Sequence, residues 1–323
     1  MSTLLRALRR KILTPNVSAT SLDQRGFHKK NSAAQDLLET IGRTFLEGYG
    51  HAVGTRSPAE AEALLETVPR QFRGFAYEGA AMGAVVLDAL PGSGGRRLDG
   101  LLSGQGRLHV YMAYVGVGWA MARLPKFLWP DVRRTDPLLR WLVLDGYGFH
   151  QAYFHTERYV RGQFQDLGFS WAATPASYQQ NAIDQGIGRA LWFVAGTDPE
   201  RAADLIDAYP AHRRPDLYSG TGLAATYAGG ADESELRYLA ERAGSYLPQL
   251  LQGVAFAAEA RERAGLSVAH TKLATATLCG MDPEQAAKVC SGTRPDATAG
   301  TDVPAYEIWR RRIAEELVSR ERG

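Results

Sequence analysis

The chain lacks most of the features by which a sequence announces a chemistry. Of its 323 residues only two are cysteine, Cys279 and Cys290. They cannot form a disulfide framework and have no zinc-ligand spacing, so buried structural thiols in a reducing compartment are expected. Neither sign of charge is in excess: 37 Lys and Arg face 35 Asp and Glu, a formal net charge of +2. A general nucleic-acid binder would carry a strong basic excess, so no nucleic-acid partner is expected. No apolar run reaches the ~18 residues of a membrane span. The basic N-terminus is followed by no apolar h-region, which argues against a secretory signal and for a cytoplasmic protein. Also missing are a Gly-x-Ser-x-Gly elbow, a phosphate loop, a Cys-x-x-Cys pair and an Asp-rich prenyl-diphosphate motif. Strand-like alternation is scarce. Its main occurrence, around Leu108–Val115, falls at a repeat position that favours helix.

What remains is apolar and glycine-rich: 45% hydrophobic residues and 34 glycines. Residues 58–79 (PAEAEALLETVPRQFRGFAYEG) and 199–220 (PERAADLIDAYPAHRRPDLYSG) align without gaps, with seven identities in 22 positions. Pro58, Ala61, Leu64, Pro69, Arg73, Tyr77 and Gly79 meet Pro199, Ala202, Leu205, Pro210, Arg214, Tyr218 and Gly220. Ser57-Pro58 and Asp198-Pro199 read as helix starts, with proline where its missing donor costs nothing. Pro69 and Pro210 then break a short acidic helix, and a more apolar, glycine-bearing helix follows.

That second helix recurs with leading glycines Gly48, Gly79, Gly116, Gly146, Gly186, Gly220 and Gly253, at intervals of 31, 37, 30, 40, 34 and 33 residues. Such spacing is the length of a helical hairpin. The expected fold is all-α, about seven hairpins forming an α-solenoid or curved helical array with glycine-rich inner helices. The repeat domain spans residues 15–295. A basic amphipathic helix (1–14) precedes it, and a linker with a charged C-terminal helix (296–323) follows. Glycine inside a helix costs ~0.5–1 kcal/mol relative to alanine. The usual compensation is close approach of two backbones; the alternative is a wall against which a ligand lies.

Several copies place an acid just before the first glycine: Glu47, Glu78 and Asp145, with Asp184 two before Gly186. Repeat-equivalent positions face one side, so a line of acids along an inner wall is expected. Buried carboxylates of this kind can transfer protons, although hydrogen bonding to a neighbouring repeat is their commoner fate. The candidate catalytic residues are Glu78, Asp145, His150 and Asp184. His150 and His155 lie five apart, about 140° round a helix, so no metal site is expected, and no cofactor is indicated. His51 is placed to pair with Glu47. A central aromatic cluster suits a flat or elongated hydrophobic ligand, with Tyr77, Tyr147, Phe149, Tyr153, Trp192 and Tyr218 as its candidate contacts. In the N-terminal helix Leu4, Leu5, Leu8 and Ile12 oppose Arg6, Arg9, Arg10 and Lys11. Residues 1–13 could therefore touch an anionic membrane or a partner, or simply pack on the body.

Seven motifs in order carry a family resemblance. They are Arg25-Gly-Phe27, Phe45-Leu-Glu-Gly-Tyr49, Phe75-Ala-Tyr-Glu-Gly-Ala-Ala-Met-Gly83, Gly116-Val-Gly-Trp119, Asp145-Gly-Tyr-Gly-Phe-His150, Gly186-Ile-Gly-Arg-Ala-Leu-Trp-Phe193 and Gly220-Thr-Gly-Leu-Ala-Ala-Thr-Tyr-Ala-Gly-Gly230. Over roughly residues 1–290 the chain resembles the UnbL-type proteins, a family of unknown function found with enediyne polyketide synthases. The resemblance implies an accessory role in forming an enediyne core, with a linear polyene or polyyne as the bound or processed molecule. It suggests a UnbU-type membrane protein and a UnbV-type repeat protein as partners. It carries over no catalytic residues. The alternative function is a non-catalytic scaffold that organises biosynthetic partners at the membrane.

Overall fold

The computed structural model of the chain describes residues 3–131, 135–171, 176–296 and 303–321. Among them there are sixteen α-helices and no strand. In chain order they are α1 (Thr3–Leu13), α2 (Leu22–Arg25), α3 (Ser32–Gly54), α4 (Pro58–Leu65), α5 (Arg73–Asp88), α6 (Arg97–Ser103), α7 (Val110–Arg123) and α8 (Trp141–Phe154). Then follow α9 (Ala176–Val194), α10 (Pro199–Asp207), α11 (Arg214–Ala228), α12 (Glu233–Ala243), α13 (Leu247–Arg263), α14 (Ala269–Cys279), α15 (Pro283–Thr293) and α16 (Ala305–Glu321). The ambiguous stretch before Val115 is helical: a 3-10 turn over Gln105–His109 runs into α7.

Local chemistry sets the helix ends as the repeat required. The Ser57 hydroxyl accepts from Glu60 N, and the Asp198 carboxylate accepts from Glu200 N and Arg201 N. Each cap is followed by proline in the first turn, where no donor is lost. The paired arginines have matching tasks. Arg73 donates to the Glu66 and Val68 carbonyls, and Arg214 to those of Asp207 and Tyr209, so each closes the end of the helix before it.

The glycine-bearing helices α3, α5, α7, α8, α9, α11 and α13 form one layer, each packed on the next, and α15 continues it beyond α13. Helices α4, α6, α10, α12 and α14 lie behind this layer. The α7–α8 and α8–α9 connections have no α-helix among their described residues. The glycines are where backbones meet. A Cβ added to Gly146 would lie 2.0 Å from the Val115 carbonyl oxygen, and one on Gly186 would lie 1.8 Å from that of Asp145. The glycines therefore let helices touch each other, which resolves the two readings of their role.

The contacts also correct the repeat register. In each pair the first glycine abuts the preceding helix and the second abuts the next: Gly116, Gly146, Gly186 and Gly220 look back, while Gly118, Gly148, Gly188 and Gly222 look forward. Gly48 looks forward, onto Ala76, and Gly79 looks back onto Phe45. Gly48 is thus a second glycine, and the leading position in α3 is Leu46. Glu47 loses its equivalence to Glu78 and stands on the outer side, exposed and paired with His51 at 3.4 Å. The true equivalents of Glu78 and Asp145 are Phe45, Val115, Gln185, Ser219 and Gln252.

These positions face the concave side of the layer, which is largely filled. Phe75 of α5 meets Tyr227 of α11 edge-on at 5.2 Å, so the two halves touch across the interior. Helix α16 lies in the same space. Its Tyr306, Trp309, Arg310, Ile313 and Leu317 are buried, and Tyr306 bonds Gln185 while Trp309 packs on Phe256. Arg310 donates to Asp216, Tyr178 and Gln252. At the other end α1 packs on α3. Arg9 donates to the carbonyls of Val53 and Thr55 at 2.6 and 2.9 Å, a cation on a helix C-terminus.

Candidate functional site

Between the inner faces of α3, α5, α7, α8 and α9 a narrow, partly open apolar crevice remains, with a cavity volume of about 60 Å³. Its walls include Phe45, Phe75, Met82, Trp119, Phe149, Tyr153, Phe154 and Phe193. Trp119 is the hub: its ring lies 4.4 Å from Phe45, 5.2 Å from Phe149 and 5.5 Å from His150. Pro15, Ala19 and Thr20, from the strap joining α1 to α2, border the mouth, as does exposed Arg123. The strap can lie close because residue 42 is glycine; a Cβ there would stand 2.6 Å from that of Thr20.

The buried polar groups of the crevice include Glu78, His150 and Arg189. Burial pushes the Glu78 carboxyl up to about 7, with nearby Arg189 pulling down and Asp145 pushing up. The indole N–H of Trp119 favours the carboxylate weakly but completes no hydrogen bond. Burial lowers His150 to about 3, helped by Arg123 and His155, so its imidazole is neutral. Arg189 donates from Nη1 to Asp145, whose other oxygen accepts from Gln185 Nε2 at 2.8 Å. Burial disfavours the Arg189 charge, yet Asp145 and Glu78 more than offset it and hold its pKa up. Arg189 also borders a second, smaller cavity of about 30 Å³, lined by Asp145, Tyr227, Phe256, Glu259, Tyr306 and Trp309. A neutral imidazole, a carboxyl that titrates near neutrality and a buried guanidinium can hydrogen-bond a ligand and exchange a proton with it.

The candidates from the sequence scatter over this geometry. Glu78, His150, Phe149 and Tyr153 line the crevice together. Asp145 lies one cavity away, its charge engaged by Arg189. Asp184 faces outward, where its two oxygens take both Arg213 donors in a buried pair. Tyr77 bonds Glu66 and stacks on His109 at 3.9 Å, away from the crevice. Its repeat mate Tyr218 reaches the Arg242 carbonyl. Tyr147 packs on Trp129 and Phe169, and Trp192 donates to the Gly229 carbonyl. Sequence reading missed Trp119, Arg189, Met82 and Phe45. Trp119, Arg189 and Met82 stand three after a leading position, on the face shared with Phe149. That signal becomes readable once the repeat register is correct.

The model of the family described as "Protein of unknown function (DUF1702)" matches residues 4–317. The chain belongs to that family. No curated protein matches the chain, and no solved structure does. The DUF1702 match spans α1 through most of α16, so both helices that flank the glycine layer fall within it. The family carries no stated activity, and the crevice is described by its own geometry.

Proposed function

We propose that this DUF1702 protein is an accessory protein of enediyne polyketide biosynthesis that binds, and helps to process, a linear polyene or polyyne intermediate. One observation carries the binding reading: a crevice walled by aromatic rings that has a titratable acid inside it. Stacked and edge-on rings suit a stiff conjugated chain. Glu78 is the group placed to hydrogen-bond such a chain or exchange a proton with it. The pathway assignment is supported by the ordered motifs that resemble UnbL-type proteins.

Titrating the purified protein with a linear conjugated polyene tests the reading. The polyene absorbance should shift and the tryptophan fluorescence should fall. A folded Met82→Trp variant, which fills the crevice, should lose both signals. An unperturbed polyene at high protein concentration would sink the binding claim.

A second reading has its own observation. Leu8 and Ile12 on α1 are 52% and 70% exposed beside the exposed cations Arg10 and Lys11. Such a face fits an anionic membrane or a UnbU-type partner, with a UnbV-type protein assembled on the same body. Deleting residues 1–13 separates the readings. A scaffold loses membrane recovery and pathway output together, whereas polyene binding by the crevice survives the deletion.

A further inference from the structure

The crevice is apolar along its walls but not at its inner end. Glu78, Trp119 and Arg189 meet there, and His150 borders the same space. Three of these hold buried polar atoms without a partner: Arg189 Nε, Trp119 Nε1 and His150 Nδ1. The residues themselves are 5%, 8% and 6% exposed, so these atoms are largely shielded from bulk solvent. Buried polar groups are ordinarily satisfied, because an unmade bond forfeits the full desolvation cost. Among the buried arginines, Arg213 and Arg310 bond through Nε, to Asp184 and Gln252, while Arg261 Nε, like that of Arg189, has no partner in the chain. What sets Arg189 apart is that it borders the crevice. The Trp119 N–H has the Glu78 carboxyl nearby but completes no bond to it, and Arg189 Nε–H completes none at all. The cavity they border therefore holds two donors open to an acceptor from outside the chain.

The charges narrow what that acceptor is. The Arg189 guanidinium is already matched by Asp145. Glu78 is a second acid beside it, so a buried anion would face two carboxyl groups and one cation already in use. An uncharged oxygen meets none of that repulsion and takes both donors. Resting on the crevice-binding reading above, we infer that the inner end of the crevice receives a carbonyl or hydroxyl oxygen carried by an elongated apolar chain, held by the Nε–H of Arg189 and the indole N–H of Trp119. Glu78, when protonated, is a third donor to the same oxygen.

Three probes of one conjugated chain length test this: the hydrocarbon, its methyl ketone and its carboxylate. Binding is read by fluorescence quenching, and the carbonyl stretch of the bound ketone by infrared difference spectroscopy. The ketone should bind ~10-fold or more tighter than the hydrocarbon, the worth of one or two good hydrogen bonds. Its carbonyl stretch should move to lower frequency. Trp119→Phe removes the donor together with part of the ring area that walls the crevice. It should weaken the ketone several-fold more than the hydrocarbon and reverse part of the infrared shift. An equal loss for both probes would mean that the indole only supplies wall and would overturn its role as donor. Equal affinity for ketone and hydrocarbon overturns the head-group assignment and leaves the crevice reading standing. Tightest binding by the carboxylate overturns it too, and would place the anion at Arg123 in the mouth. Binding of none of the three overturns the crevice reading itself.

Discussion

Glu78 and His150 border one crevice, and burial moves them in opposite senses. The folded-state pKa of Glu78 is raised from 4.5 to about 7, so the folded chain holds this proton more tightly than the unfolded one. Stability from this group is complete below pH 4.5 and is lost as pH rises through 7, up to ~3 kcal/mol for a shift of this size. His150, lowered from 6.5 to about 3, acts the other way: the unfolded chain binds its proton first, and stability falls as pH drops below 6.5. Glu78→Gln removes only the first effect. Urea denaturation from pH 5 to pH 8 should show the variant gaining steadily on wild type as pH rises. A constant difference across that range would mean that the carboxyl is solvated in the folded protein. Glu78 was legible in the sequence as an acid next to a leading glycine. Arg189 was not, because its role rests on partners about forty residues away in the chain.

At the scale of the helix, the glycine layer makes a sharp contrast. Alanine at Gly186 would press its Cβ onto the Asp145 carbonyl and the Phe149 nitrogen, backbone atoms that cannot rotate away. Helices α8 and α9 would have to part, and their separation would widen the crevice they wall. A loss of about 3 kcal/mol is expected, at the upper end of overpacking costs. Gly292 in α15 has nothing within 4 Å of an added Cβ. Gly292→Ala should instead gain ~0.5–1 kcal/mol from better helix propensity. Equilibrium denaturation of the two variants side by side checks both signs. Equal effects would mean that the backbones are not in contact at Gly186.

At the scale of the molecule, α16 joins what the repeat alone would leave open. Arg310 is 4% exposed and is held among Asp216, Tyr178, Glu307 and Gln252, with Asn181 on the second Asp216 oxygen. Arg310→Met would leave Asp216 buried without its cation, a loss on the order of 3–5 kcal/mol. Because Tyr306 and Trp309 line the second cavity from the same helix, polyene titration of the variant should report any loosening there. A variant as stable as wild type would show that α16 is not anchored through this cluster.

The sequence by itself determined the glycine-bearing helices, their order and the two proline-started helices before α5 and α11. The expected hairpin partner has no α-helical counterpart among the described residues between α7 and α8 or between α8 and α9. Caps and prolines act within a few residues of themselves, so their effects are readable locally. Ser57 and Asp198 start the helices that their serine-proline and aspartate-proline pairs implied. The sequence marked Arg73 and Arg214 only as a matched pair, and the structure gives them their helix-closing role. The small residues at Gly116, Gly146 and Gly186 likewise announced a close-packed layer. Only the tertiary structure decided which side chains face inward. A two-residue error at Gly48 turns a helix by about 200°, and no local pattern distinguishes a first glycine from a second. That distinction exists only in the neighbouring backbone each one touches. The same holds for the crevice, whose acid, imidazole and guanidinium come from three helices and acquire their properties from shared burial.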